Sequence, residues 1–247
     1  MSVSKQYAQI GVPPRTNKKR KAQTETQVVT VTKKSRSPVG AQIPRGFVTP
    51  LAMDSKFFDP ATNTTVTLAT GGNVAHLDVV TRGDAVNQRN GKTWQNINIQ
   101  FRGRVFAGVG AVLNHVAIYL IWDRQPNKAL ATVADILADP AKETTAFMNR
   151  ENKARFVTIK KWQRILIGNT QNLAAGVNYC GREAFVIDKW IKLPEECVAN
   201  ASVSDTTGAI GNRTTGALLL LTLGDKPAGN TAASLLYNYR IGFKDPQ

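Results

Sequence analysis

The chain has 247 residues, 42% of them hydrophobic, and a formal net charge of +15 from 32 Lys and Arg against 17 Asp and Glu. That apolar share supplies a sizeable core, and the excess of cations points to a polyanionic partner. The longest apolar run, around Ala217–Leu221, is strand-sized and too short for a membrane span, and two cysteines, Cys180 and Cys197, are too few for a disulfide framework and suit a reducing cytosolic or nuclear setting.

Residues 1–50 read as a basic arm. They hold Lys5, Arg15, Lys18, Lys19, Arg20, Lys21, Lys33, Lys34, Arg36 and Arg45 against one acid, Glu25, which is +9 of the chain's +15. Like charges repel and little apolar surface is available to bury, so the arm is expected to be disordered. Pro13, Pro14, Pro38, Pro44 and Pro50 keep it extended. Tyr7 and Phe47 are its aromatics and it has no amphipathic helical period, so nothing in it would insert into a membrane. Nucleic acid is the expected partner. The clusters Lys18–Lys21 and Lys33–Arg36 lie eleven residues apart, the spacing of a bipartite nuclear import signal. A solvated tail that neutralises phosphate is the plainer reading, and the two are compatible.

Residues 51–247 read as an all-β domain. In chain order the expected strands are Thr64–Thr70, Ala75–Thr81, Trp94–Phe106, Val116–Trp122, Arg155–Ile167, Phe185–Leu193, Gly216–Leu223 and Ser234–Phe243. The third has period two: Ile97, Ile99, Phe101 and Val105 on one face, Asn98, Gln100, Arg102 and Arg104 on the other. Val116–Trp122 is apolar on both faces, as a strand buried on both sides would be. A helix is expected at Leu130–Ala138, where Leu130, Val133, Ala134 and Leu137 recur at helical spacing. Eight strands with long connections and a short helical insertion fit an antiparallel jelly-roll sandwich.

No catalytic constellation is present. His76 and His115 are far apart in sequence, Cys180 and Cys197 form no CxxC pair, and no metal site or cofactor is expected. Asp123, Asp188, Glu195 and Glu196 read as ion-pair or loop carboxylates, and Gly71-Gly72 as a turn. The cations on strands are more informative. Arg102 and Arg104 share a face, as do Lys160, Trp162 and Arg164, with Lys161 beside them. Such a strand could offer phosphate contacts and a ring for an unpaired base. Alternatively Trp162 belongs to the core, and Arg102 and Arg104 meet acids such as Glu195 or Glu196 of a neighbouring copy.

Three stretches resemble the coat proteins of geminiviruses: Val116–Pro126 (VAIYLIWDRQP), Arg155–Trp162 (RFVTIKKW) and the closing strand Leu236–Lys244 (LYNYRIGFK). The basic arm and the length agree. The resemblance implies a jelly roll that assembles as pentamers into twinned, incomplete icosahedra. It implies circular single-stranded DNA bound on the inner surface, entry into the host nucleus through an import receptor, presence in the virion, and recognition by insect-vector proteins. The competing reading from the residues alone is a β-barrel that binds single-stranded nucleic acid without forming a shell.

Overall fold

In the computed structural model, residues 55–108, 113–167, 183–202 and 204–245 are described. The arm residues, from Arg15 to Arg45, and Cys180 lie outside them. The strands are β1 Ser55–Phe58, β2 Thr64–Leu68, β3 Asn73–His76, β4 Thr93–Phe106, β5 Leu113–Asp123, β6 Phe156–Ile167, β7 Ala184–Lys192, β8 Val198–Ala201, β9 Arg213–Thr215, β10 Ala217–Gly224 and β11 Ala233–Lys244. Seven of the eight expected strands are present as β2, β4 to β7, β10 and β11, and of the expected Ala75–Thr81 only Ala75 and His76 belong to a strand, β3. The short β1, β8 and β9 are additional.

The strands form two antiparallel sheets. One contains β2-β11-β4-β7, with β1 also on β11 and β8-β9 continuing from β4; the other has the order β3-β10-β5-β6. Taking β2 to β7, β10 and β11 in sequence as B to I, the sheets are B-I-D-G and C-H-E-F, which is the jelly-roll connectivity. Between the sheets lies a core of Ile99, Phe101 and Val105 from β4, Val116, Ile118 and Leu120 from β5, Leu218 and Leu220 from β10, and Leu235 and Ile241 from β11.

The second sheet is covered on both faces. Its outer side chains, Ala117, Tyr119, Ile121, Leu219, Leu221 and Leu223, pack against Ala131, Ile136, Leu137 and Ala146 of the β5–β6 connection. This is why β10 is buried at every position and reads as a continuous apolar run. The first sheet has no such cover among the described residues, and β4 alternates buried and exposed through its second half.

The helix is shorter than its periodicity suggests. α1 runs Val133–Ile136, begun by a capping box between Thr132 and Asp135. Asn127 and Lys128 have positive φ and hold the preceding residues in a turn. Leu137 is extended and bridges Met148, shortly before Pro140. The buried positions are Ala131, Ile136 and Leu137, while Leu130 is exposed.

The strand expected at Ala75–Thr81 ends at His76. Two tight turns follow, with the amides of Val79 and Val80 donating to the carbonyls of Leu77 and Asp78. They carry the Asp78 carboxylate into the core, where it accepts from the Leu218 amide at 2.9 Å and the Asn96 side chain at 2.9 Å. Gly71 and Gly72, at φ of 83° and 68°, make the β2–β3 turn.

Candidate nucleic-acid interface

The exposed face of the first sheet follows from strand register. On β4, Asn98, Gln100, Arg102, Arg104 and Phe106 alternate with the buried Ile99, Phe101 and Val105. Antiparallel partners share a face, so each β4 residue defines a row. Lys192 and Gly242 flank Asn98; Trp190 and Arg240 flank Gln100; Asp188 and Asn238 flank Arg102; Val186 and Leu236 flank Arg104. A shallow groove of about 630 Å³ runs along these rows, lined by Arg102, Arg104, Val186, Asp188, Leu236 and Asn238. A smaller one shares Arg102 and reaches Gln100, Arg240 and Asp59.

The face is cationic even after its ion pairs are counted. Arg102 Nε lies 3.4 Å from Asp188, and Arg240 makes a bidentate pair with Asp59 at 2.8 and 2.7 Å. Both pairs are exposed, so they add little stability and leave the cations available to an anion. Arg104 and Lys192 have no carboxylate partner among the described residues. Within the chain, the acid that Arg102 meets is Asp188. Glu196 is paired with Arg124 at 2.5 Å.

The β6 cations stand elsewhere. Lys160, Trp162 and Arg164 pair with Leu120, Ile118 and Val116, so their face is the inward face of the second sheet. Trp162 reaches the core, stacked on Phe101 with ring centroids 5.5 Å apart and planes at 22°. Lys160 and Arg164 remain exposed on what is an edge strand of that sheet. Lys161 points to the opposite side, its Nζ 5.0 Å from the Tyr119 ring. The two sets of strand cations thus belong to different sheets, and Trp162 is a packing residue.

Sequence reasoning missed Trp190, Lys192 and Arg240. The signal was available: in Phe185–Leu193, Trp190 and Lys192 share the parity opposite to Ile187 and Ile191.

The sandwich end that holds the β3–β4 and β7–β10 connections is fixed by buried ions. Arg89 donates to the Asp205 carboxylate at 2.8 Å and to the carbonyls of Val80, Gly91 and Asp205. Arg213 donates to the Asp78 carbonyl, and its Nη1 is 3.6 Å from the Asp78 carboxylate. His76 Nε2 lies 2.7 Å from the other Asp78 oxygen. Burial alone would raise the Asp78 carboxyl. The charge of Arg213, the His76 contact and the Leu218 amide outweigh it and hold the group below its ordinary value. Asp123, read from the sequence as an ion-pair or loop carboxylate, is in a bidentate pair with Arg155 at 2.8 Å on both arms. Cys197 is buried, and desolvation first, then the charge of Glu196, pushes its thiol up to about 12, which makes it inert.

The fold and this face define an all-β jelly-roll protein that presents an open, cationic surface bearing exposed apolar side chains, suited to binding along a sheet rather than inside a cavity. The sequence matches the Geminivirus coat protein/nuclear export factor BR1 family over residues 2–246, and the chain belongs to that family. Membership groups it with the geminivirus coat proteins.

Comparison with curated proteins gave no match. Among solved structures, the chain is similar to one from infectious bursal disease virus, Gt strain, at 13% identity and a TM-score of 0.24, covering 77% of this chain and 33% of that one. A chain from the VP2 subviral particle of infectious bursal disease virus matches at 11% identity and a TM-score of 0.20, with 78% and 37% covered. The chain thus spans about a third of the length of these relatives.

Proposed function

We propose that this coat protein forms a shell around single-stranded DNA, with residues 51–247 as the shell-building jelly roll and residues 1–50 as a cationic arm. The arm neutralises packed phosphate and carries the import signal that takes the protein into the host nucleus. The open face around Arg102 and Arg104 is the ordered part of the same genome contact. One observation carries this reading: the second sheet is capped on both sides, whereas the first leaves its cationic face bare. Assembly from pentamers into twinned icosahedra is what the resemblance to geminivirus coat proteins implies for such a shell.

The test is charge reversal in the full chain. Arg102→Glu with Arg104→Glu leaves shells visible by electron microscopy but lowers their nuclease-protected DNA content. Shells with normal DNA content would overturn the role of the face, and loss of assembly would make it a subunit contact. Filaments or free monomers from the unaltered protein with DNA would favour a binding protein that does not build shells.

A further inference from the structure

We propose that Trp190 is a base-stacking residue, on which an unpaired base of single-stranded DNA lies while neighbouring cations hold its phosphates. The inference rests on the reading of the open sheet face as the genome contact, and it adds a residue and a mode of binding to it.

Trp190 is 60% exposed, against 0% for Trp94 and 1% for Trp122. Its position in β7 places it opposite Gln100 on the outer face. Among the described residues its indole makes no hydrogen bond and no ring contact, whereas Trp162 is stacked on Phe101 and Trp94 lies under two guanidinium groups. Trp190 shares its face with the exposed apolar side chains of Val186 and Leu236, so it belongs to a group of bare apolar side chains rather than standing as a single scattered one. Among the described residues β7 pairs with β4 alone, so a ligand can approach the ring from the side.

The surroundings select the ligand. Lys192 lies two residues along the same strand, about 7 Å away at the rise of an antiparallel strand. Arg102 is the diagonal neighbour across the β4–β7 pair, a separation of about 7–8 Å. Arg104 follows one row further on. A π surface flanked by cations on a flat sheet matches single-stranded nucleic acid, whose bases are free to stack and whose phosphates recur along the chain. Duplex DNA does not fit, because its bases are already stacked. Stacking depends little on base identity, which suits a protein that must accept a whole genome.

The experiment uses the full-length protein and an oligo(dT) probe, read by tryptophan fluorescence and by affinity across a salt series. Binding quenches the exposed indole. Trp190→Ala weakens affinity on the order of tenfold or more and removes most of the quenching, while the salt slope stays that of the unaltered chain. Trp190→Phe keeps most of the affinity, because a phenyl ring still stacks. Both variants keep the unaltered melting midpoint, since the side chain is largely in solvent. Arg102→Glu with Arg104→Glu lowers affinity and flattens the slope. If the Arg variant behaves so but Trp190→Ala binds as tightly as the unaltered chain, stacking is wrong and the genome face stands. If the Arg variant changes nothing, the face itself is not the contact and both readings fall. Loss of shells with unchanged oligo(dT) affinity in Trp190→Ala overturns the proposal by making Trp190 a contact between copies.

Discussion

Arg213 lies over the ring of Trp94 with its guanidinium carbon 4.1 Å from the ring centroid, and both side chains are fully buried. Arg89 approaches the same ring at 4.8 Å. Two buried cations on one indole are tolerable because Asp78 and Asp205 neutralise them from residues far away in sequence. The cluster ties together the β3–β4 connection, the residues around Asp205 and the start of β9.

Removing one ion from this cluster strands another. Arg213→Ala is expected to destabilise the protein by about 3–5 kcal/mol, since it leaves Asp78 buried without its main cation. Arg102→Ala, on the exposed face, is expected to change stability by less than about 1 kcal/mol. Urea unfolding of the two variants side by side checks the contrast, and equal midpoints would remove the cluster's structural role.

Acid should weaken the same end of the sandwich. Burial would raise the Asp205 carboxyl, but hydrogen bonds from Asn212, Thr207 and Gly208 outweigh it, and like Asp78 it lies below the ordinary value of 3.8. A carboxyl depressed in the folded state adds stability that is fully present above the unfolded value and is lost as pH falls through the folded value. These two groups therefore contribute at full strength at pH 5–7, and their contribution declines below about pH 4. Asp78→Asn should be less stable at neutral pH and should lose less between pH 5 and pH 3. A parallel acid profile for the variant would sink the assignment.

Trp162 and Trp190 should behave oppositely. Trp162→Ala loses the stack on Phe101 and part of the inter-sheet core, at a cost of about 2 kcal/mol for a half-buried ring, with oligonucleotide affinity retained in the folded protein. Thermal melting together with binding separates the two roles. A Trp162 variant that melts normally but binds poorly would return this residue to the DNA surface.

The arm should be dispensable for folding and necessary for transport and for much of the salt dependence. Changing Lys18, Lys19, Arg20, Lys21, Lys33, Lys34 and Arg36 to Ala is expected to leave the melting midpoint unchanged and abolish nuclear accumulation of a fluorescent fusion. Deleting residues 1–40 should flatten the salt slope by about 0.7 for each phosphate the arm neutralises. A deleted protein with an unchanged slope would locate all the phosphate contacts on the body.

Seven of the eight expected strands were legible because a half-buried strand writes its period into the chain, as in Ile99, Phe101 and Val105 against Arg102 and Arg104. A strand covered on both sides writes a continuous apolar run, as in β10. Charge alone leads to the expectation that residues 1–50 form an arm, and those residues lie outside the described ones. What the chain could not write locally was decided by its tertiary arrangement. Ile97 and Ile159 sit at register shifts, so parity breaks within β4 and β6, and the side of Trp94 cannot be counted from Ile99. β8 and β9 are too short to leave a periodic trace. Alternation shows which residues share a face but not what the face meets. Lys160, Trp162 and Arg164 share one, yet it looks inward, and Trp162 is drawn onto Phe101 of the other sheet. Trp190 is left in the open because, among the described residues, no element covers β7 as the β5–β6 connection covers β5 and β10. The physical reason is that burial of a face depends on which sheet a strand joins and what packs above it, and those contacts join residues far apart along the chain.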